Sequence, residues 1–207
     1  MVTNSQFILA IHWKEGINMK PFNKKDLFTI PNIICYVRIL LIPVFCYVYV
    51  TADSISDYYL ATGIVLFSSF TDLFDGMIAR KFNQVTDLGK ILDPVADKLT
   101  HVALAFCLAF RYPLMWALLA LMVVKEAYMA YMGIEFLKQD KMMDGAMWYG
   151  KVCTATLFIV MVALFAFPNM DIIWVNTLII VTMIIMAFTF IQYIQYYRDL
   201  KKQLNTK

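Results

Sequence analysis

Apolar residues in this chain come in long runs separated by short polar stretches. The runs extend from about Thr29 to Val50, Tyr58 to Phe70 with a polar extension to Arg80, Ile91 to Phe110, Pro113 to Leu137, Trp148 to Phe167, and Ile172 to Tyr197. Several reach the roughly 20 residues that cross about 30 Å of hydrocarbon as a helix, the form in which a segment satisfies its own backbone hydrogen bonds. The pattern predicts an all-α, polytopic integral membrane protein with six transmembrane helices. The second and third runs are not clean, because their facing ends carry acids. Those ends are expected in a water-accessible cleft or at the membrane interface.

Composition agrees: 61% of the 207 residues are hydrophobic and 16% are charged, against roughly 25% charge in an ordinary soluble domain. Residues 1–28 read as a juxtamembrane segment. In one reading it lies amphipathically on the membrane, with Phe7, Ile8, Ile11, Trp13 and Phe22 dipping in and Lys14, Lys20, Lys24 and Lys25 facing anionic lipid; in the other it is a disordered leader. Its apolar part is too brief for a signal peptide, so no cleavage is expected. Residues 29–200 form the membrane domain and 201–207 a tail.

Lysine and arginine set the expected orientation. They gather in the leader, around Arg80, Lys81 and Lys90, around Lys138, Lys141 and Lys151, and in the tail, whereas the opposite loops offer only Arg111. The positive-inside rule then places both termini and the acidic cluster in the cytoplasm. The net charge of +3 describes that rim and gives no reason to expect nucleic acid. Cys35, Cys46, Cys107 and Cys153 stand singly in apolar runs without metal-ligand spacing and read as small core residues.

The candidate chemistry lies between the second and third runs. Asp72 and Asp75 are spaced i,i+3, and Asp93 and Asp97 i,i+4, so each pair shares one helix face. Folding the connection between them back on itself would gather four carboxylates at the cytoplasmic mouth. Unpaired, they would repel one another and be costly in the membrane, so a cation is expected among them. Carboxylates without histidine or cysteine suit Mg²⁺ or Mn²⁺, and two ions bridged by such groups bind phosphate oxygens. Gly76 and Gly89, with Ala79 one turn after Gly76, allow close approach of a helix or a flat ligand. Arg80 offers a fork of donors to a phosphate or an acid. Asp87 falls outside both pairs and reads as a turn residue.

Asp72, Asp75, Gly76, Ala79, Arg80, Gly89, Asp93 and Asp97 match in full the signature D-x2-D-G-x2-A-R-x8-G-x3-D-x3-D, and on these residues the chain resembles the CDP-alcohol phosphatidyltransferases. TIPNIICYVRILLIPVF, residues 29–45, is similar to the opening of that family's phosphatidylglycerophosphate synthase and cardiolipin synthase branches, with Pro31, Asn32, Arg38 and Pro43 matching and Cys35 standing where threonine is more usual. The resemblance implies a six-helix homodimer in a bacterial cell membrane, transferring a phosphatidyl group from CDP-diacylglycerol to an alcohol, with sn-glycerol 3-phosphate as the first choice and phosphatidylglycerol, the acceptor of a cardiolipin synthase, or another alcohol as the alternative. It implies that Asp72, Asp75, Asp93 and Asp97 hold two divalent ions. Gly76, Ala79 and Gly89 would lie against the CDP moiety, with Asp72, Asp75 and Arg80 helping to hold it. Asp97 would be the base for the acceptor hydroxyl.

Acceptor residues are sought among the remaining cations. Lys125, beside Glu126 in the fourth run, is the first choice for an acceptor phosphate, the alternative being a structural ion pair; Met132 and Gly133 stand where the resembling branch has a further arginine. WYGKVCT, residues 148–154, resembles the opening of that branch's fifth helix. Lys151 there reads as a phosphate ligand or a snorkelling lysine, and Gly150 as a point of helix approach. Arg38 is a further acceptor candidate. His101, one turn after Asp97, is read as a core histidine or a neighbour of the metals. Tyr193, Tyr196 and Tyr197 read as an interfacial anchor. A divalent-cation channel also accounts for intramembrane acids, but spans five and six supply almost no polar pathway and transport gives the small-residue pattern no role.

Overall fold

A computed structural model describes residues 29–81, 87–138 and 147–205. These form six helices: α1 Ile30–Val50, α2 Ile55–Lys81, α3 Asp87–Arg111, α4 Met115–Lys138, α5 Trp148–Ala166 and α6 Ile172–Asn205. The juxtamembrane segment lies outside the described residues, as do the side chains of 72–81. At 1.5 Å per residue, helices of 19 to 34 residues extend about 28 to 51 Å, comparable to or longer than the hydrocarbon thickness. By length and composition α1, α4, α5 and α6 are clean candidate spans. α2 and α3 are long enough, at 27 and 25 residues, but carry the acidic ends that the polar interruptions foretold. The protein is a polytopic membrane protein.

Local chemistry sets several helix ends. Pro31 occupies the first turn of α1 behind Thr29, whose backbone is extended, and proline there loses no helical hydrogen bond. At the start of α2, the Asp57 N–H meets the Ser54 hydroxyl oxygen at 3.4 Å while the Ser54 N–H donates back to Asp57 Oδ2 at 2.9 Å, a reciprocal capping box. Polar residues inside the spans also find partners in their own helices. Thr62 donates to the Tyr58 carbonyl, Thr100 to that of Ala96 and Thr182 to that of Leu178, each at 2.8 or 2.9 Å.

α1 packs along both α2 and α3, α3 meets α4 and α5, and α6 meets α4 and α5. The main core runs through the half of the bundle away from the acids, with Phe45, Leu104, Leu108, Met161, Leu164, Phe165 and Ile179 among its buried members. Arg111 closes that end. Its Nη2 donates to the Pro168 carbonyl at 2.8 Å, and its guanidinium lies 4.8 Å from the Tyr58 ring centroid. Around this packed interior, Leu40, Ile159, Ile173 and Ile184 are among many large apolar side chains left exposed, the outward surface that lipid rather than water would solvate.

A second cluster ties α4 to α6, in which Tyr193 and Tyr197 are buried with Met129, Met132 and Phe136. This corrects the interfacial-anchor reading for Tyr193 and Tyr197, while Tyr196 is only partly buried. Spaced i,i+4, Tyr193 and Tyr197 turn one face toward α4, and their rings stack on each other at 6.1 Å. Gly150 is the point of helix approach that its sequence context suggested, because a Cβ there would overlap the Tyr193 hydroxyl. Gly150→Ala is therefore expected to destabilise the protein by about 1 to 3 kcal/mol, the usual range for overpacking. Tyr193→Phe in the same chain should restore part of the loss, as seen by thermal unfolding in detergent. No recovery in the double variant would contradict the steric account.

Candidate active site

The buried stripe of α1 changes character along its length. Toward its start it presents Asn32, Cys35 and Arg38, and farther along it presents Phe45 and Tyr49. Because α1 packs against α3, the polar half of this stripe meets the beginning of α3, where Asp93 and Asp97 share a face. Arg38 Nη1 donates to Asp97 Oδ1 at 2.7 Å and approaches Asp93 Oδ1 at 3.5 Å. The arginine side chain is 2% exposed, whereas those of Asp93 and Asp97 are 29% and 35% exposed. One buried guanidinium thus holds two accessible carboxylates together.

The Cys35 thiol stands 4.0 Å from Asp93 Oδ1. Read from sequence as packing, it belongs to the wall of this acidic site as a weak donor. Pro94 lies between the two acids inside α3, where its ring nitrogen has no proton for the preceding turn. Gly89 lies one turn before Asp93 on the same helix. Asp72, Asp75, Gly76, Ala79 and Arg80 occupy the last turns of α2, and their side chains lie outside the described residues. The side chain of Asp87 does as well.

Two half-exposed carboxylates presenting oxygen donors on one face fit a hard divalent ion such as Mg²⁺ or Mn²⁺. Among the described residues no group of three or more potential ligands assembles. The end of α2 is where the sequence places the second acid pair.

A different charge cluster lies beside the first. Lys98, the residue after Asp97, donates to Glu126 Oε2 at 2.7 Å, and Lys125 donates to Glu126 Oε1 at 2.9 Å. Lys125 and Glu126 are adjacent in sequence yet paired, since their long side chains curve to one point. Lys125 is buried, and all three residues lie near the middle of their helices. His101 is partly buried, with its ring edge-on to Phe158 at 5.7 Å. Lys151 lies exposed in the first turn of α5. The structure thus brings Arg38 to the acid pair and does not place it in the Lys125 cluster. Sequence reasoning passed over Lys98, although a lysine halfway along a membrane helix was itself a signal.

Comparison with known proteins bears out the family resemblance. Residues 28–195 match the sequence profile of the family described as CDP-alcohol phosphatidyltransferase. The chain is 33% identical over 175 residues to the CDP-diacylglycerol--glycerol-3-phosphate 3-phosphatidyltransferase of Escherichia coli K12, covering 81% of this chain and 93% of that one. It is equally similar to the protein of that name from Shigella flexneri serotype 5b. Over 113 residues it is 37% identical to a Schizosaccharomyces pombe protein named cardiolipin synthase (CMP-forming) / mitochondrial hydrolase fusion protein. That match covers 53% of this chain and spans only 18% of the fusion protein's length.

Proposed function

The chain belongs to the CDP-alcohol phosphatidyltransferase family, and we propose that it transfers the phosphatidyl group of CDP-diacylglycerol to sn-glycerol 3-phosphate, giving phosphatidylglycerophosphate and CMP. The observation that carries this reading is the Arg38–Asp97–Asp93 assembly, which sets the second half of the acidic signature on one accessible face. The similarity to the Escherichia coli enzyme over nearly its full length supports the choice of acceptor.

In this reading Asp72, Asp75, Asp93 and Asp97 hold two Mg²⁺ or Mn²⁺ ions. When bound, such ions draw electron density from the phosphoryl group and neutralise the leaving nucleotide. Gly76, Ala79 and Gly89 leave room for the CDP moiety, and Arg80 holds its phosphates. Asp97 removes the proton from the acceptor hydroxyl as its oxygen attacks the phosphoryl group attached to diacylglycerol, and CMP departs in line. Arg38 orients Asp97. Lys125 binds the acceptor's phosphate, with Lys151 as a further cation at the rim. The lysine and arginine distribution supports a cytoplasmic site and cytoplasmic termini, and the family resemblance supports a homodimer.

The fission yeast similarity favours a second reading, a cardiolipin synthase with phosphatidylglycerol as acceptor. Purified protein given CDP-diacylglycerol and either acceptor separates the two by CMP release, and glycerol 3-phosphate is the expected partner. Exhaustive chelation should abolish turnover, with Mg²⁺ or Mn²⁺ restoring it. Full activity in chelator would contradict the metal assignment.

A further inference from the structure

Asp97 and Lys98 are consecutive in α3, and they belong to different charge clusters. Arg38 pairs with Asp93 and Asp97 in one, whereas in the other Lys98 and Lys125 converge on the single carboxylate of Glu126, two positive charges on one negative. The lysine cluster sits near the middle of α3 and α4, which pack on each other, where a cation short of a counter-charge is expensive. A ligand carrying a reacting hydroxyl and an anion would bring that anion to the two lysines. The hydroxyl end would meet Asp97, and the anion would meet the lysines one residue away.

Glu126 explains how the lysines are kept ready. Each ammonium has three N–H donors, and one carboxylate accepts from both. A lysine side chain with a free choice would extend toward the membrane surface, but the Lys98 ammonium is turned to Glu126 at 2.7 Å while its side chain remains 48% exposed. Lys125, at 7% exposure, forms the buried wall of the pair. A phosphate monoester carries a charge of about −1.5 to −2 and three acceptor oxygens, enough to take donors from both lysines at once.

We infer that Lys98 is the second cation of the acceptor's phosphate subsite, held beside Lys125 by Glu126, which acts as a positioning residue. The inference rests on the proposed phosphate-bearing acceptor and adds the residue that stands in, from another helix, for the arginine absent at Met132 and Gly133.

The test uses the full-length protein in lipid nanodiscs, with CMP release measured against glycerol 3-phosphate at saturating CDP-diacylglycerol. Lys98→Met is expected to raise KM for glycerol 3-phosphate about tenfold, the effect of losing one charge-assisted hydrogen bond. kcat and KM for CDP-diacylglycerol should stay within about twofold. Lys98→Gln should behave as the methionine variant does, and Lys98→Arg should recover most of the affinity. Independently of turnover, glycerol 3-phosphate should raise the unfolding temperature of the wild type in chelator and raise it less in Lys98→Met. Unchanged KM in both neutral variants, in a protein that uses glycerol 3-phosphate, overturns the inference alone. A wild type that turns over phosphatidylglycerol and not glycerol 3-phosphate overturns the acceptor assignment, and the inference falls with it.

Discussion

Asp97→Asn is expected to lower CMP release by about 10² to 10⁴-fold, the usual effect of removing a positioned general base. The substitution keeps the shape of the side chain. It also keeps an oxygen to accept from Arg38, which meets Asp97 at 2.7 Å in the native protein, so the α1–α3 contact should survive. Affinity for CDP-diacylglycerol should stay within a few-fold, and the unfolding temperature should move little. The base assignment requires that Asp97 keep an oxygen for the acceptor hydroxyl. Should weakened metal binding prove to be the main defect, with turnover recovering at high Mg²⁺, Asp97 is chiefly a ligand.

Arg38→Met should damage the fold itself in the absence of metal. Its guanidinium is almost fully buried and the acids it pairs with are partly accessible. Removing one partner of such an assembly typically costs about 3 to 5 kcal/mol, since charges are left uncompensated in a poorly solvating place. Two carboxylates one helical turn apart would then repel each other. Thermal unfolding in chelator should fall well below wild type. Added Mg²⁺ should stabilise the variant more than the wild type, because a divalent ion between the acids replaces the missing positive charge. Arg38→Lys should recover only part of the loss, since a single ammonium lacks the planar fork. Wild-type stability of Arg38→Met in chelator would show that α1 does not hold the acid pair.

Much of the architecture was legible in one dimension. Apolar runs of membrane-spanning length dictate helices, because lipid offers a backbone no other partners. The observed α1 through α6 accordingly begin and end close to the runs. The pairing of Asp93 with Asp97 was legible as well, since a spacing of four residues means one helix face whatever surrounds the helix. Fixed residue types at fixed spacing likewise carried the family resemblance, which the match over residues 28–195 supports.

What chain order could not convey was which side chain from one helix would meet which charge on another. Arg38 read as a free cation for an acceptor until α1 packed along α3 and buried it against Asp93 and Asp97. Lys98 drew no notice beside the acids, and Glu126 entered only as the alternative ion-pair partner of Lys125, yet the α3–α4 contact joins all three. Tyr193 and Tyr197 had the composition of a membrane-surface belt and became core because α4 covers their face. The physical reason is the same in each case. Helix formation depends on hydrogen bonds a few residues apart, which the local sequence specifies, whereas compensation of a buried charge depends on partners tens of residues away, which only the packing of helices brings within reach.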